Sequence, residues 1–135
     1  MGRTRVYVAF DYDDLEVKQN LVAQSRLPDC PYDILDNSID RQIEHRWVAE
    51  ARRLIQASDC VLVLCGKQTH QARGVETELQ LAQELGKRYF LLRGTRSGVP
   101  TAPKNARATD RIWAFRWPTV TALLEGRRPP EDAAW

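Results

Sequence analysis

Two glutamates, Glu76 and Glu78, lie two residues apart in the stretch GVETELQLA, whose apolar residues are spaced as in a helix. Residues three, four and seven apart share a helix face. Glutamines follow Glu76 on its face, whereas Glu78 shares its face with Ala82 and Leu85. A carboxylate on an apolar stripe is costly unless it is paired, hydrogen-bonded or open to a cavity. Glu78 is therefore the candidate catalytic residue. The alternative is a boundary residue satisfied by backbone amides or by an arginine such as Arg73.

Strands and helices alternate along the chain and predict where this glutamate lies. Helices are predicted from Asp13 or Asp14 to about Gln24, from about Arg41 to Ala57, through the glutamate stretch, and from Pro118. The first helix is expected to bury Leu15, Leu21 and Val22. The β-rich runs between the helices are RVYVAF (5–10), YDIL (32–35), CVLVLC (60–65), YFLL (89–92) and RIWAF (111–115).

The continuous apolar run CVLVLC is typical of a strand covered on both faces, and it belongs at the centre of a parallel sheet. Strand–helix–strand units with right-handed crossovers give such a sheet. We predict an α/β fold, a flavodoxin-like three-layer sandwich with a central five-stranded, mostly parallel sheet of order 2-1-3-4-5. Ligands bind such sheets at the carboxyl ends of the strands, where the order reverses between strands one and three.

Composition limits the function classes. The chain has 135 residues, and we assign 1–125 to a single domain and 126–135 to a mobile C-terminal tail. A net charge of +2 is too small to indicate binding to nucleic acid or membrane. Three cysteines cannot all pair, and the first apolar run is too short for a signal peptide or a membrane span, so we expect a cytoplasmic protein.

Three stretches together resemble a known family. FDYDD after the first strand, ARRLIQASDCVLVLCGKQTH and GVETELQLAQELGK are similar to TIR-like proteins related to the signalling subunit of Thoeris antiphage systems, over residues 5–93. The resemblance implies a TIR-like fold and cleavage of the nicotinamide–ribose bond of NAD. NAD would be the substrate, with no bound cofactor. A cyclised ADP-ribose product would activate a partner effector protein, and homo-oligomer formation is left open.

The family's catalytic glutamate maps onto Glu78, the residue that the helical face indicates independently. Cleavage at the anomeric carbon builds oxocarbenium-like positive charge on the ribose, which a fixed carboxylate stabilises. The carboxylate could instead hold ribose hydroxyls or form a covalent ribosyl intermediate. Where many TIR domains have a tryptophan, this chain has Val75, Glu76 and Thr77.

The loops beside the carboxyl ends of the predicted strands supply candidates for substrate binding. A ring and a carboxylate follow strand one, polar residues follow strand two, and basic residues precede the glutamate helix where a pyrophosphate could bind. For each of them a strand end, a helix cap or a surface loop is the alternative. The candidates are Phe10, Asp11, Asp36, Ser38, His70 and Arg73.

Several other classes are set aside. A response-regulator receiver needs an aspartate after strand three and a lysine after strand five, where this chain has Cys65-Gly66 and Arg116-Trp117. GxxxxGK[ST] does not occur, and the histidines and cysteines lack metal-ligand spacing. Two alternatives remain: a nucleoside deoxyribosyltransferase-like enzyme that uses a glutamate at an anomeric carbon, and a non-catalytic TIR-like interaction module.

Overall fold

The sheet has five parallel strands in the order predicted. The computed structural model describes residues 3–11, 14–35, 44–95 and 98–129. Asp36 and Ser38 lie outside the described residues. The strands pair in the order β2-β1-β3-β4-β5. They are β1 Thr4–Ala9, β2 Tyr32–Leu35, β3 Cys60–Cys65, β4 Arg88–Arg93 and β5 Ile112–Trp113.

Four helices connect or follow these strands. They are α1 Leu15–Ser25, α2 Glu44–Ala57, α3 Arg73–Glu84 and α4 Trp117–Leu124. Helical crossovers join β1, β2, β3 and β4 into one parallel sheet, which gives the flavodoxin-like plan and confirms the predicted fold class. None of the described helices is both long and apolar enough to cross a membrane.

The central strand β3 separates two apolar layers. All six of its residues are buried, as the run CVLVLC predicts. Alternate side chains point to opposite faces, so Val61, Val63 and Cys65 pack in the layer that contains residues of α2 and α3. Cys60, Leu62 and Leu64 pack in the layer that contains residues of α1 and α4.

One prediction about helix α1 is wrong. Leu15 is 37% exposed, whereas Val17 and Leu21 are buried and Val22 is half-buried. Leu15 is the first residue of the helix, and the contacts of α1 with the sheet begin at Val17 in its first turn. The sequence therefore predicts the helix but not which of its residues contact the sheet.

The end of α4 is closed by a turn. Gly126 has φ 74, a left-handed conformation that glycine adopts without strain, and the next amide, of Arg127, donates to Ala122 O at 2.8 Å. Pro129 is buried, and residues 130–135 lie outside the described part of the chain. The division between domain and tail at residue 125 stays a prediction.

Candidate functional site

Glu78 lies inside the protein, in the second turn of α3. Its exposed fraction is 2%, beside the buried Val75, Leu79 and Ala82. Glu76, two residues earlier, is partly exposed. The prediction that Glu78 faces inward and Glu76 outward is therefore confirmed. The catalytic role of Glu78 stays a prediction.

The chain reaches this helix through a short connection from the central strand. After Cys65, Thr69–Gln71 form one 3₁₀ turn, and Arg73 begins the helix. Thr69 is buried and its hydroxyl oxygen accepts the Gly66 amide at 2.7 Å. The connection is therefore a hydrogen-bonded turn rather than an open loop. Arg73, expected just before the helix, is its exposed first residue.

His70 lies within this turn and is tied to a distant part of the chain. Its Nδ1 is 2.9 Å from Thr101 Oγ1, and its backbone amide donates to the same oxygen at 3.1 Å. Thr101 Oγ1 is also 3.1 Å from Gly66 O and 3.2 Å from Lys67 O. His70 is half-buried. It is thus a fixed residue, and the proposal that it binds substrate stays open.

The segment 98–110, irregular as the sequence predicts, packs along α3. Asn105 Nδ2 donates to Glu76 O at 2.8 Å, and Gln83 Nε2 donates to Asn105 O at 3.0 Å. Ala102 and Ala106 pack against the core layer of α2 and α3. At the end of the segment, Tyr89 Oη donates to Asp110 Oδ2 at 2.5 Å. The segment therefore braces the helix that carries Glu78.

The other predicted residues with described positions lie at the end of β1. Phe10 and Asp11 are half-buried, and Lys18 Nζ lies 5.3 Å from the centroid of the Phe10 ring. β1 pairs with β3 through Ala9 and Val63, so this strand end lies next to the start of the connection to α3. The fold thus brings Phe10 and Asp11 to the same edge of the sheet as the turn that contains His70.

A second buried carboxylate lies at this edge, and the sequence reasoning missed its position. Asp14 occupies the N-cap position of α1, but its side chain makes no capping hydrogen bond. Its exposed fraction is 3%. A Cβ at Gly66 would overlap the Asp14 carboxylate, and one at Gly94 would lie 3.2 Å from Asp14 Cγ. Two glycines at the ends of β3 and β4 therefore leave the space that this carboxylate occupies.

In the sequence, an aspartate before a helix indicates a cap, and no periodicity marks it as buried. Only the position of two glycines far along the chain places the carboxylate in the interior. No signal in the sequence alone would have found Asp14 as a residue of this site.

The buried thiols at the central strand are held neutral. Burial raises the pKa of Cys60 to about 11 and that of Cys65 to about 12. At Cys65 the negative charge of Asp14 adds to the effect of burial. Neither thiol is a nucleophile at neutral pH, because the thiolate is the reactive form. Cys65 therefore adds no nucleophile to Glu78 and His70 on this side of the sheet.

Comparisons with known proteins agree with this architecture. The family model "Thoeris protein ThsB, TIR-like domain" matches residues 7–95. A solved structure, described as the crystal structure of a prokaryotic SEFIR domain, superposes with a TM-score of 0.54 and 13% sequence identity. The match covers 91% of this chain and 94% of that chain, and at this identity it shows the fold alone. A search of curated proteins finds no match.

Proposed function

Because the chain belongs to the TIR-like domain family of the Thoeris protein ThsB, we propose that it cleaves the nicotinamide–ribose bond of NAD. Glu78 would be the catalytic carboxylate. The observation that carries this proposal is the 2% exposure of Glu78 on the helix that follows the central strand. Burial on this helix face keeps water from the carboxylate, so its charge acts in a low-dielectric surrounding.

The reaction places specific demands on that carboxylate. The bond between the anomeric carbon and the pyridine nitrogen breaks, both electrons leave with nicotinamide, and positive charge develops on the ribose. Nicotinamide departs as a neutral molecule, so no strong general acid is needed. A fixed negative charge stabilises the developing cation, and a low-dielectric surrounding strengthens that attraction. The burial of Glu78 supports this role.

The fate of the ribosyl cation decides the product. Addition of water to the anomeric carbon, with loss of a proton, gives ADP-ribose. Attack by a nucleophilic atom at the adenosine end of the same substrate closes a cyclic ADP-ribose instead. Cyclisation requires the adenine to be held within reach of the same carbon, a proximity effect. We propose the cyclic product, acting as a signal for an effector protein, on the strength of the family relationship.

The proposal is tested by incubating the purified chain with NAD and quantifying NAD, nicotinamide and nucleotide products by mass spectrometry. Glu78→Gln keeps the shape and removes the charge, so we expect it to lower NAD cleavage by about 10²–10³-fold, the range found when one stabilising group is removed. Glu76→Gln is the matched control, two residues away and partly exposed, and should retain activity.

The outcomes separate the candidate functions. Unchanged NAD cleavage by Glu78→Gln would show that another group performs the chemistry. Base exchange between deoxynucleosides without NAD cleavage would indicate a deoxyribosyltransferase. A folded protein that leaves NAD intact, both alone and in lysate from phage-infected cells, would indicate a non-catalytic interaction module.

A further inference from the structure

The hydroxyl of Thr101 has four hydrogen-bonding neighbours. A threonine hydroxyl offers one hydrogen and two acceptor lone pairs. Gly66 O and Lys67 O, at 3.1 and 3.2 Å, can only accept a hydrogen bond. The His70 backbone amide, at 3.1 Å, can only donate. Donation of the hydroxyl hydrogen to one of these carbonyls leaves two lone pairs, of which one takes the amide.

The fourth neighbour is His70 Nδ1, 2.9 Å from the same oxygen. With the hydroxyl hydrogen directed to a carbonyl, the remaining lone pair of Oγ1 accepts from this nitrogen. Nδ1 then carries a hydrogen. In a neutral imidazole only one nitrogen does, and the hydrogen bond made by one nitrogen sets the state of the other. In this neutral tautomer Nε2 is an acceptor with an open lone pair.

Nε2 lies on the opposite side of the ring from Thr101. It has no hydrogen-bonding partner within the parts of the chain that the structure describes. The ring is half-buried and held in the turn immediately before the helix of Glu78. Thr101 also donates its own amide to Gly66 O at 2.8 Å, so the residue that orients the ring is itself fixed.

We infer that Thr101 is a positioning residue that fixes His70 in the Nδ1–H tautomer, so that Nε2 accepts a hydrogen bond from a ribose hydroxyl of the substrate. The inference deepens the proposed function and rests on it for the identity of the substrate. A neutral Nε2 without a hydrogen cannot donate to a phosphate oxygen. The ribose therefore fits His70 better than the pyrophosphate considered from the sequence. The segment 98–110 therefore contributes to the site through Thr101, which orients His70.

The tautomer is measured without any enzymatic assay. Two-bond ¹H–¹⁵N spectra of the full chain report which imidazole nitrogen carries the hydrogen. The chain has two histidines, so the signals of His70 are identified by their loss in His70→Gln. We expect the Nδ1–H pattern in the unaltered chain. Thr101→Ser should retain it, because it keeps the hydroxyl, whereas the isosteric Thr101→Val should lose it. An Nε2–H pattern in the unaltered chain would overturn the inference.

The ligand is tested in Glu78→Gln, which is expected to slow turnover. NAD and nicotinamide riboside should shift the Nε2 resonance of His70, and inorganic pyrophosphate should not. A shift with pyrophosphate alone, or with none of the three, would overturn the assignment of Nε2 to a ribose hydroxyl. Thr101→Ser keeps the test decisive even where Thr101→Val does not fold, as judged from circular dichroism.

Turnover gives a third readout. Loss of one hydrogen bond in binding corresponds to about a two- to tenfold change in affinity. Thr101→Val should raise KM for NAD by that factor while kcat stays nearly constant, and Thr101→Ser should restore KM. Equal loss of kcat in both variants would contradict a positioning role. A chain that never cleaves NAD refutes the proposed function, whereas the tautomer spectra still decide the role of Thr101.

Discussion

Helices α1 and α3 each begin near the carboxyl end of a strand, and each has a buried carboxylate near its start. Glu78 is 2% exposed and lies on the apolar face of α3. Asp14 is 3% exposed and lies at the first position before α1, against Gly66 and Gly94. Helical periodicity predicts the burial of Glu78, whereas the burial of Asp14 depends on Gly66 and Gly94, which follow two other strands. Two equally buried carboxylates therefore differ in whether the local sequence predicts their burial.

The pH dependence of stability distinguishes Asp14 from Glu78 through their different effects on the buried thiols. An unfolded thiol ionises near pH 9, whereas burial raises the pKa of Cys60 to about 11 and that of Cys65 to about 12. The unfolded chain therefore loses these protons first. The stability contributed by the neutral thiols is complete below pH 9 and is lost as pH rises towards 12. The loss is about 2 kcal/mol for each thiol by pH 11.

Urea unfolding at pH 8 and at pH 10.5 measures this loss. Cys65→Ala should reduce it. Asp14→Asn should also reduce this loss of stability, because the negative charge of Asp14 raises the pKa of Cys65. Glu78→Gln should leave the loss unchanged. An equal effect of Asp14→Asn and Glu78→Gln on this loss would contradict the electrostatic difference between the two carboxylates.

The space around Asp14 is tested by Gly66→Ala. The added methyl group would overlap the Asp14 carboxylate, so the free energy of unfolding should fall by about 1–3 kcal/mol, as for other overpacked interiors. In an Asp14→Ala background the same change should cost much less, since the colliding group is gone. A double-mutant cycle measured by urea unfolding gives the coupling.

Gly86→Ala is the control for this cycle. A Cβ at Gly86 meets no atom within 4 Å, and its φ of 66 makes any substitution strained for backbone reasons alone. Its cost should not change when Asp14 is replaced. Additive costs for Gly66→Ala and Asp14→Ala would show that the carboxylate does not occupy the space between the strands.

The smallest expected effect on stability concerns which residues of α1 contact the sheet. Val17→Ala removes buried methyl groups and should lower the free energy of unfolding by about 1–2 kcal/mol. Leu15→Ala, at an exposed position, should change it by less than about 0.5 kcal/mol. Thermal and urea unfolding of the two variants measure the difference. A larger loss of unfolding free energy for Leu15→Ala than for Val17→Ala would place Leu15 on the buried face of α1, as the sequence predicts.

Much of the site could be predicted where short-range periodicity controls burial. The inward direction of Glu78 follows from Val75, Leu79 and Ala82 around it, because residues three and four apart share a helix face. His70 was identified as a candidate, but its orientation depends on Thr101, which lies 31 residues later in an irregular segment. No periodicity connects two such residues, so their contact could not be predicted.

The amino-acid sequence predicts the alternation of strands and helices, the central place of CVLVLC and the buried glutamate of α3. These follow from side-chain periods of two and 3.6 residues and from the handedness of crossovers. Three features depend on tertiary contacts: Asp14 lies against Gly66 and Gly94, Val17 of α1 packs on the sheet, and His70 contacts Thr101. Such contacts join residues far apart in sequence, and their positions depend on how the loops at the end of the sheet pack together.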